Sequence, residues 1–232
     1  MQRTTSSRQS QRRSGWFMNF IKNWGIFIIV IALIILSRLF IWNTARVDGN
    51  SMDPTLANGQ RLIMTSLGTP KRFDVVVAQE TTAQTQKNDP SATKGITIVK
   101  RIIGMPGDTV SYHDDTLTIN GKVYNEPYLK DYQLLFANNQ LADHYSKLPL
   151  TSNLTSSQRS MFVSLAKTTK AFTTDNTGNP NFTMKVPDGQ YLLLGDDRVV
   201  SADSRKVGTF TRDQIKGRVL FRIWPLNKIG GI

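Results

Sequence analysis

One apolar run near the start constrains this chain more than any other feature. Between Trp24 and Trp42 the only charge is Arg38, and Gly25 to Leu36 is apolar throughout. As a helix this run reaches about 28 Å at 1.5 Å per residue. A bilayer's hydrocarbon core is roughly 30 Å thick. Trp24 and Trp42 stand at the ends, where interfacial aromatics belong. Arg38 lies one turn inside the far end and can snorkel to the headgroups. A buried helix of a soluble protein is the competing reading. A soluble helix apolar on every face rarely follows a basic leader, which favours the membrane.

The net charge is +12, from 29 Lys and Arg against 17 Asp and Glu. Its distribution decides its meaning. Arg3, Arg8, Arg12, Arg13, Lys22, Arg38 and Arg46 all precede the first acid, Asp48. More than half of the excess is therefore in the first fifth of the chain. A basic chain suggests nucleic acid, but charge placed this way needs no nucleic-acid partner. Lys and Arg ahead of an apolar span keep residues 1–22 in the cytoplasm and put the chain from 43 onward outside. No small-x-small cleavage site follows Trp42, so residues 23–42 read as an uncleaved anchor rather than a removable signal peptide.

Beyond the anchor the chain is rich in strand signals. Arg61-Leu-Ile-Met-Thr, Asp74-Val-Val-Val-Ala, Ile96 to Ile103, Asp108 to Tyr112, Thr116 to Asn120, Gln190 to Leu194 and Val219 to Trp224 all read as strands. Asn120-Gly121 reads as a tight hairpin turn. The pattern predicts a mainly β fold, a sandwich or open barrel. Residues 131–180 differ, being rich in Asn, Gln, Ser, Thr and Lys. Thr155-Ser-Ser-Gln158 ahead of Met161, Phe162, Leu165 and Ala166 predicts one capped amphipathic helix there. This stretch reads as a cap inserted between two parts of the β-core, 43–130 and 181–232.

The absence of cysteine excludes disulfides, thiolate metal sites and a cysteine nucleophile. Two histidines, His113 and His144, are too few and too far apart to suggest a metal centre. No cofactor is expected. Ser51, between Asn50 and Met52-Asp53-Pro54, lies on a tight turn. It is a candidate nucleophile, although a surface turn has the same composition. A serine nucleophile needs a base. Neither histidine has a setting that would orient it. Lys100 shares a strand face with Ile96 and Ile98 by alternation. Burial would lower its pKa and free the amine as a base; a solvated edge lysine is the other reading. The segment Leu194 to Gly208 is dense in Asp, Ser and Arg, fitting either a solvated loop or a rigid support for a site.

Together these segments resemble the bacterial type I signal peptidases, Ser/Lys membrane proteases. The match covers about residues 20–130 and 180–225. Gly49-Asn-Ser-Met-Asp-Pro-Thr-Leu56, Lys71-Arg-Phe-Asp-Val-Val-Val77, Val99-Lys-Arg-Ile-Ile-Gly-Met-Pro-Gly-Asp108 and Gly195-Asp-Asp-Arg-Val-Val-Ser-Ala-Asp-Ser-Arg205 carry it, in the family's order. The resemblance implies a signal-peptidase-like β-fold of antiparallel sheets with an inserted cap, preceded by one N-terminal transmembrane helix. It implies Ser51 as nucleophile and oxyanion donor through its N–H, and Lys100 as general base. Ser201 would hydrogen-bond near the Lys100 amine and orient it. Asp203 with Arg205, and Arg101 with Asp196, would hold the last loop against the catalytic strand. Gly49 stands where some members carry a second oxyanion donor on a serine. Asp197 stands where the family mostly has Asn, and Phe73 where it mostly has Gly. The implied partners are signal peptides of exported preproteins, membrane lipid and, transiently, the Sec translocon, with the catalytic part outside a bacterial cell membrane.

Two other functions fit parts of the pattern. A catalytically inactive anchored binding protein of the same fold would be expected to have lost Ser51 or Lys100, and both are present. A soluble self-cleaving repressor would need a helix-turn-helix domain where this chain has a leader and an apolar run.

Overall fold

The computed structural model describes residues 24–37 and 42–232. The basic leader, residue 23 and the segment 38–41 with Arg38 lie outside the described residues. Residues 24–37 form helix α1, apolar and largely exposed. Among the described residues no helix is long and apolar enough to cross a membrane. Strand β1 (Trp42–Arg46) lies beside β2 (Arg61–Thr65).

Residues 44–232 form the second unit. Its larger sheet also contains β3 (Val75–Gln79), β4 (Thr97–Gly104), β9 (Gln190–Leu194), β10 (Phe210–Thr211), β11 (Ile215–Trp224) and β12 (Gly230–Gly231). A short helix, α2 (Thr82–Gln86), falls between β3 and β4 in the chain. The strand order is β1-β2-β11-β3-β4-β9-β10, with β12 pairing β11. The smaller sheet has the order β7-β6-β5-β8, from β5 (Thr109–His113), β6 (Thr116–Ile119), β7 (Lys122–Tyr124) and β8 (Phe182–Lys185). The pairings from β2 onward are antiparallel. This is the mainly β architecture expected from the short, turn-bounded strands. Asn120 and Gly121 have φ of 51° and 79°, the two positive values that a type I′ hairpin requires.

Both faces of the larger sheet are covered. Met52 and Leu56 pack with Leu62, Val75, Val77 and Val219 in one cluster. Val76, Ala78, Ile102 and Leu193 pack with Val207 and Phe210 in another. A third cluster joins the sheets, with Ile103, Leu192 and Leu194 against Val110, Tyr112, Leu117 and Ile119. Strand β4, in the middle of the order, contributes to each side by alternation.

Three helices, rather than the one expected, build the cap: α3 (Lys130–Ala137), α4 (Leu141–Ser146) and α5 (Ser156–Thr168). Only α5 carries the expected capping box, Thr155 with Gln158. Leu129 and Gln140 stand at the N-caps of α3 and α4 and make no side-chain cap bond, so those helices lack a local start signal. They form because tertiary burial outweighs propensity. Leu129, Tyr132, Leu141, Tyr145 and Phe172 make a fourth core cluster there.

Candidate active site

Ser51 sits on a turn that two neighbours pin down. Met52 and Leu56 are buried at 1% and 0% exposure, and the Leu56 N–H donates to the Met52 carbonyl at 2.8 Å. Asn50 Nδ2 donates to Asp53 Oδ2 at 2.8 Å, closing the turn from the polar side. Ser51 itself stays half-buried, open to a substrate. Lys100 comes from β4, opposite Val76 of β3. Its alternation with Ile98 and Ile102 turns the side chain to an apolar face, leaving it 3% exposed. Lys100 Nζ lies 2.6 Å from Ser51 Oγ, a hydrogen bond between residues 49 apart in sequence.

Burial lowers the Lys100 pKa, because the charged amine loses its hydration. Asp203, Glu80 and Asp196 act the other way through their charge, and Arg205 acts with burial. Desolvation is the largest influence, so the net direction is downward. The amine is shifted toward the neutral form, which can accept a proton from a hydroxyl.

The last loop closes on this pair. Arg101 grips Asp196 through two parallel bonds, Nε to Oδ1 at 2.9 Å and Nη2 to Oδ2 at 2.7 Å. Its Nη1 donates to the Phe73 carbonyl, and its guanidinium stacks 3.9 Å from the centre of the Tyr128 ring. Thr55 Oγ1 donates to Asp196 Oδ2 at 2.5 Å, tying the Ser51 turn to the same carboxylate. Arg205 holds Asp203 in the same two-bond manner, at 2.8 and 2.7 Å. Asp203 Oδ2 also accepts the Gly195 N–H at 3.0 Å. These charge-assisted forks fix geometry as well as adding energy. A Cβ on Gly195 would lie 2.2 Å from Ser201 Oγ and 2.4 Å from the Ser51 carbonyl oxygen. The loop can approach Ser51 only because that residue has no side chain.

The family model described as "Signal peptidase, peptidase S26" matches residues 19–224. The chain belongs to the signal peptidase family. A Signal peptidase I of Streptococcus pneumoniae serotype 4 is 46% identical over 214 residues, 92% of this chain and 98% of that protein. A Signal peptidase IB of Staphylococcus aureus is 34% identical over 209 residues, 88% of this chain and 90% of that protein. The crystal structure of a signal peptidase I from Enterococcus faecalis, 27% identical, covers 66% of this chain and 98% of its own with a TM-score of 0.39.

Seen as a signal peptidase, the chain brings most of its expected site residues together. Ser51 meets Lys100, Arg101 meets Asp196 and Asp203 meets Arg205. One supporting contact is absent. At Gly49, where some family members carry a serine donor, the N–H donates to Asn58 Oδ1 at 3.0 Å. Ser201 lies against Gly195, beside the Ser51 carbonyl, but Ser201 Oγ is buried without a hydrogen-bond partner among the described residues. The expected bond to the Lys100 amine is not made. That amine turns to Ser51 instead.

Phe73, a departure from the family pattern, has φ of 68°, a conformation in which glycine is free of strain and phenylalanine is not. Its ring lies near Tyr124 and Tyr128, 5.9 and 6.3 Å between centres. Phe73→Gly should relieve about 1–2 kcal/mol of left-handed strain. The half-buried ring should lose only part of the roughly 1.5–3 kcal/mol that full burial of a phenylalanine gives. The two nearly cancel, so a urea midpoint close to wild type is expected; a large fall would show that ring packing dominates, and a clear rise that strain does.

Sequence reasoning missed Arg198. Its side chain is fully buried, with Nη2 at 2.5 Å from Glu126 Oε1, Nη1 at 2.6 Å from Tyr112 Oη, and Nε donating to the Gly195 carbonyl at 2.8 Å. It fastens the last loop to the smaller sheet. Its place in a polar segment gave no hint of burial, and Glu126 lies 72 positions away. His113 is exposed, and His144 Nε2 lies 3.0 Å from Tyr132 Oη in the cap.

Proposed function

We propose that this chain is a membrane-anchored serine endopeptidase that cleaves N-terminal signal peptides from exported preproteins, with Ser51 as nucleophile and Lys100 as general base. The observation that carries this reading is the 2.6 Å contact between Ser51 Oγ and a lysine amine removed from water. Lys100 Nζ takes the hydroxyl proton as Ser51 Oγ attacks the scissile carbonyl carbon. The Ser51 N–H has no acceptor among the described residues and donates to the developing oxyanion. Collapse of the tetrahedral adduct breaks the C–N bond, and the Lys100 proton goes to the departing amine. Lys100 then deprotonates a water that attacks the acyl-enzyme, and the proton returns to Ser51 Oγ as the ester breaks. The Arg101–Asp196 and Asp203–Arg205 forks keep the two groups in register.

Lipid is the second partner. Phe221, Trp224, Leu226 and Ile229, at the end of β11 and in the segment that follows, are 50–68% exposed. Such an apolar edge suits a catalytic unit working at a bilayer surface. In this reading residues 1–22 are a cytoplasmic leader, 23–42 contain the anchor, and 43–130 with 181–232 form an extracytoplasmic catalytic core around the 131–180 cap. The Sec translocon, which delivers the substrates, is a transient partner. The basic leader faces anionic lipid rather than nucleic acid.

Because Lys100 must be neutral to act, kcat/KM should rise with pH through its lowered pKa. Preprotein cleavage by full-length protein in proteoliposomes, followed from pH 5 to 9, checks this. A profile flat across that range would exclude the lysine base. Protease protection of the leader, with digestion of the catalytic part, tests the topology.

A further inference from the structure

The mechanism leaves the helical cap without a task, and a buried pair at its base supplies one. We propose that the cap braces the nucleophile turn, with Tyr145 and Asp197 as the positioning pair that transmits it to Ser51. The inference rests on the reading of Ser51 as nucleophile. Tyr145, on α4, is 0% exposed, and its hydroxyl donates to Asp197 Oδ1 at 2.6 Å. The Asp197 backbone N–H donates to the Ser51 carbonyl at 3.1 Å. Two hydrogen bonds therefore run from the cap, through the last loop, to the nucleophile's own residue. The Ser201 N–H closes on the Asp197 carbonyl at 3.0 Å and keeps that loop residue from turning.

The cap holds both segments that meet at the dyad. Val199 and Val200, from the last loop, pack into its core. Arg205 Nη1 donates to the Thr174 carbonyl at 2.9 Å. On the nucleophile side, Asn153 Nδ2 donates to Asp48 Oδ1 at 2.7 Å, and Asn58 Nδ2 to Thr151 Oγ1 at 3.3 Å. The Tyr145 ring is seated edge-on against Tyr132 and Phe162. Its hydroxyl is thus delivered by a packed helix pair and not by a free side chain.

The chemistry of Asp197 agrees with a positioning role. It is fully buried, and its Oδ2 has no partner among the described residues. Burial pushes its pKa up to about 8, with Asp53 adding in the same direction and the Tyr145 bond opposing. The groups facing it are Tyr145 from α4, Tyr132 from α3, Asp53 from the nucleophile turn, and the Val199 and Val200 amides of its own loop. Lys228 reaches Asp53 by charge, and His144 faces Tyr132. The raised value keeps down the charge that must be buried near neutral pH, and the Tyr145 hydroxyl is the donor that stabilises the carboxylate form.

The test uses full-length protein in detergent, reading preprotein kcat and KM and the rate of Ser51 labelling by a serine-directed acylating inhibitor. Tyr145→Phe removes one hydroxyl and keeps the ring. It should lower kcat and the labelling rate by about tenfold, the scale of a small misplacement of reacting groups, with KM within about twofold. Phe136→Ala removes a cap ring that packs on Phe172 and leaves the rings around Tyr145 in place, and should label at close to the wild-type rate below its melting temperature. Wild-type labelling by Tyr145→Phe overturns the brace, as does an equal loss in Phe136→Ala. An active, unlabelled Ser51→Ala variant would remove the nucleophile reading and the brace with it, an outcome distinct from the others.

Discussion

Lys100→Met is expected to lower turnover by about 10²–10⁴-fold, the scale of a lost general base, and at the same time to make the protein more stable at neutral pH. Both effects come from one fact, the burial of an amine at 3% exposure. Burial lowers the folded-state pKa of Lys100 below its unfolded value. The native state then binds fewer protons than the unfolded state, so wild-type stability rises with pH across the window between the two values. Below the lowered pKa the cost of burying the charge is felt in full; above the unfolded value, about 10.4, it vanishes. Methionine fills a similar volume without a charge. Its stabilising effect should therefore be largest at neutral and acid pH and fade toward pH 10. Chemical denaturation of the two proteins at a series of pH values reads this directly, and a Met variant less stable at pH 6 than at pH 10, relative to wild type, would contradict it. Ser51→Ala should lose turnover on the same scale. The double variant should be no worse than either single, because the two groups act as a unit. Lys100→Arg should also fail, since a guanidinium does not deprotonate at usable pH.

Arg101→Ala should be the most damaging single change outside the dyad. Asp196 is 0% exposed and takes both of its strong bonds from Arg101, leaving only the Thr55 hydroxyl when the guanidinium goes. Breaking one side of a buried ion pair costs about 3–5 kcal/mol, mostly for the charge left behind. In a chain of this size 1 kcal/mol shifts Tm by about 2–4 °C, so a fall on the order of 10 °C is expected. Asp196→Ala should be comparable, because it strands the buried cation. Arg101→Met combined with Asp196→Leu should lose less than either single, since no buried charge remains. Thermal melts of the four proteins test this; a double variant as unstable as the sum of the singles would show that the fork is worth more than its desolvation.

How much of this could be read beforehand depended on the range of the interactions involved. Strands β2, β3, β5, β6 and β9 were legible because β-branched runs and turn residues are local signals, and Asn120-Gly121 announced its hairpin. Helix α5 was legible from its capping box. Helices α3 and α4 were not, since neither carries a capping side chain and both form by packing around Tyr132 and Tyr145.

The residue types of the site are a property of the sequence alone. With no cysteine and no well-placed histidine, a lysine was the next candidate base for a serine on a tight turn, and alternation along β4 put Lys100 on a face with apolar neighbours. Whether that amine reaches the serine is a different kind of fact. The 2.6 Å contact spans 49 residues, the Arg101–Asp196 fork 95 and the Tyr145–Asp197 bond 52. No local pattern encodes such distances. They follow from the order in which β3, β4 and β9 pair, from a glycine that lets two loops touch, and from a cap that packs only once the sheets exist. Backbone propensity and hydropathy act over a few residues and are written in the chain. Desolvation, which lowers the Lys100 pKa and raises that of Asp197, is a property of the closed interior and arises only when the fold is complete.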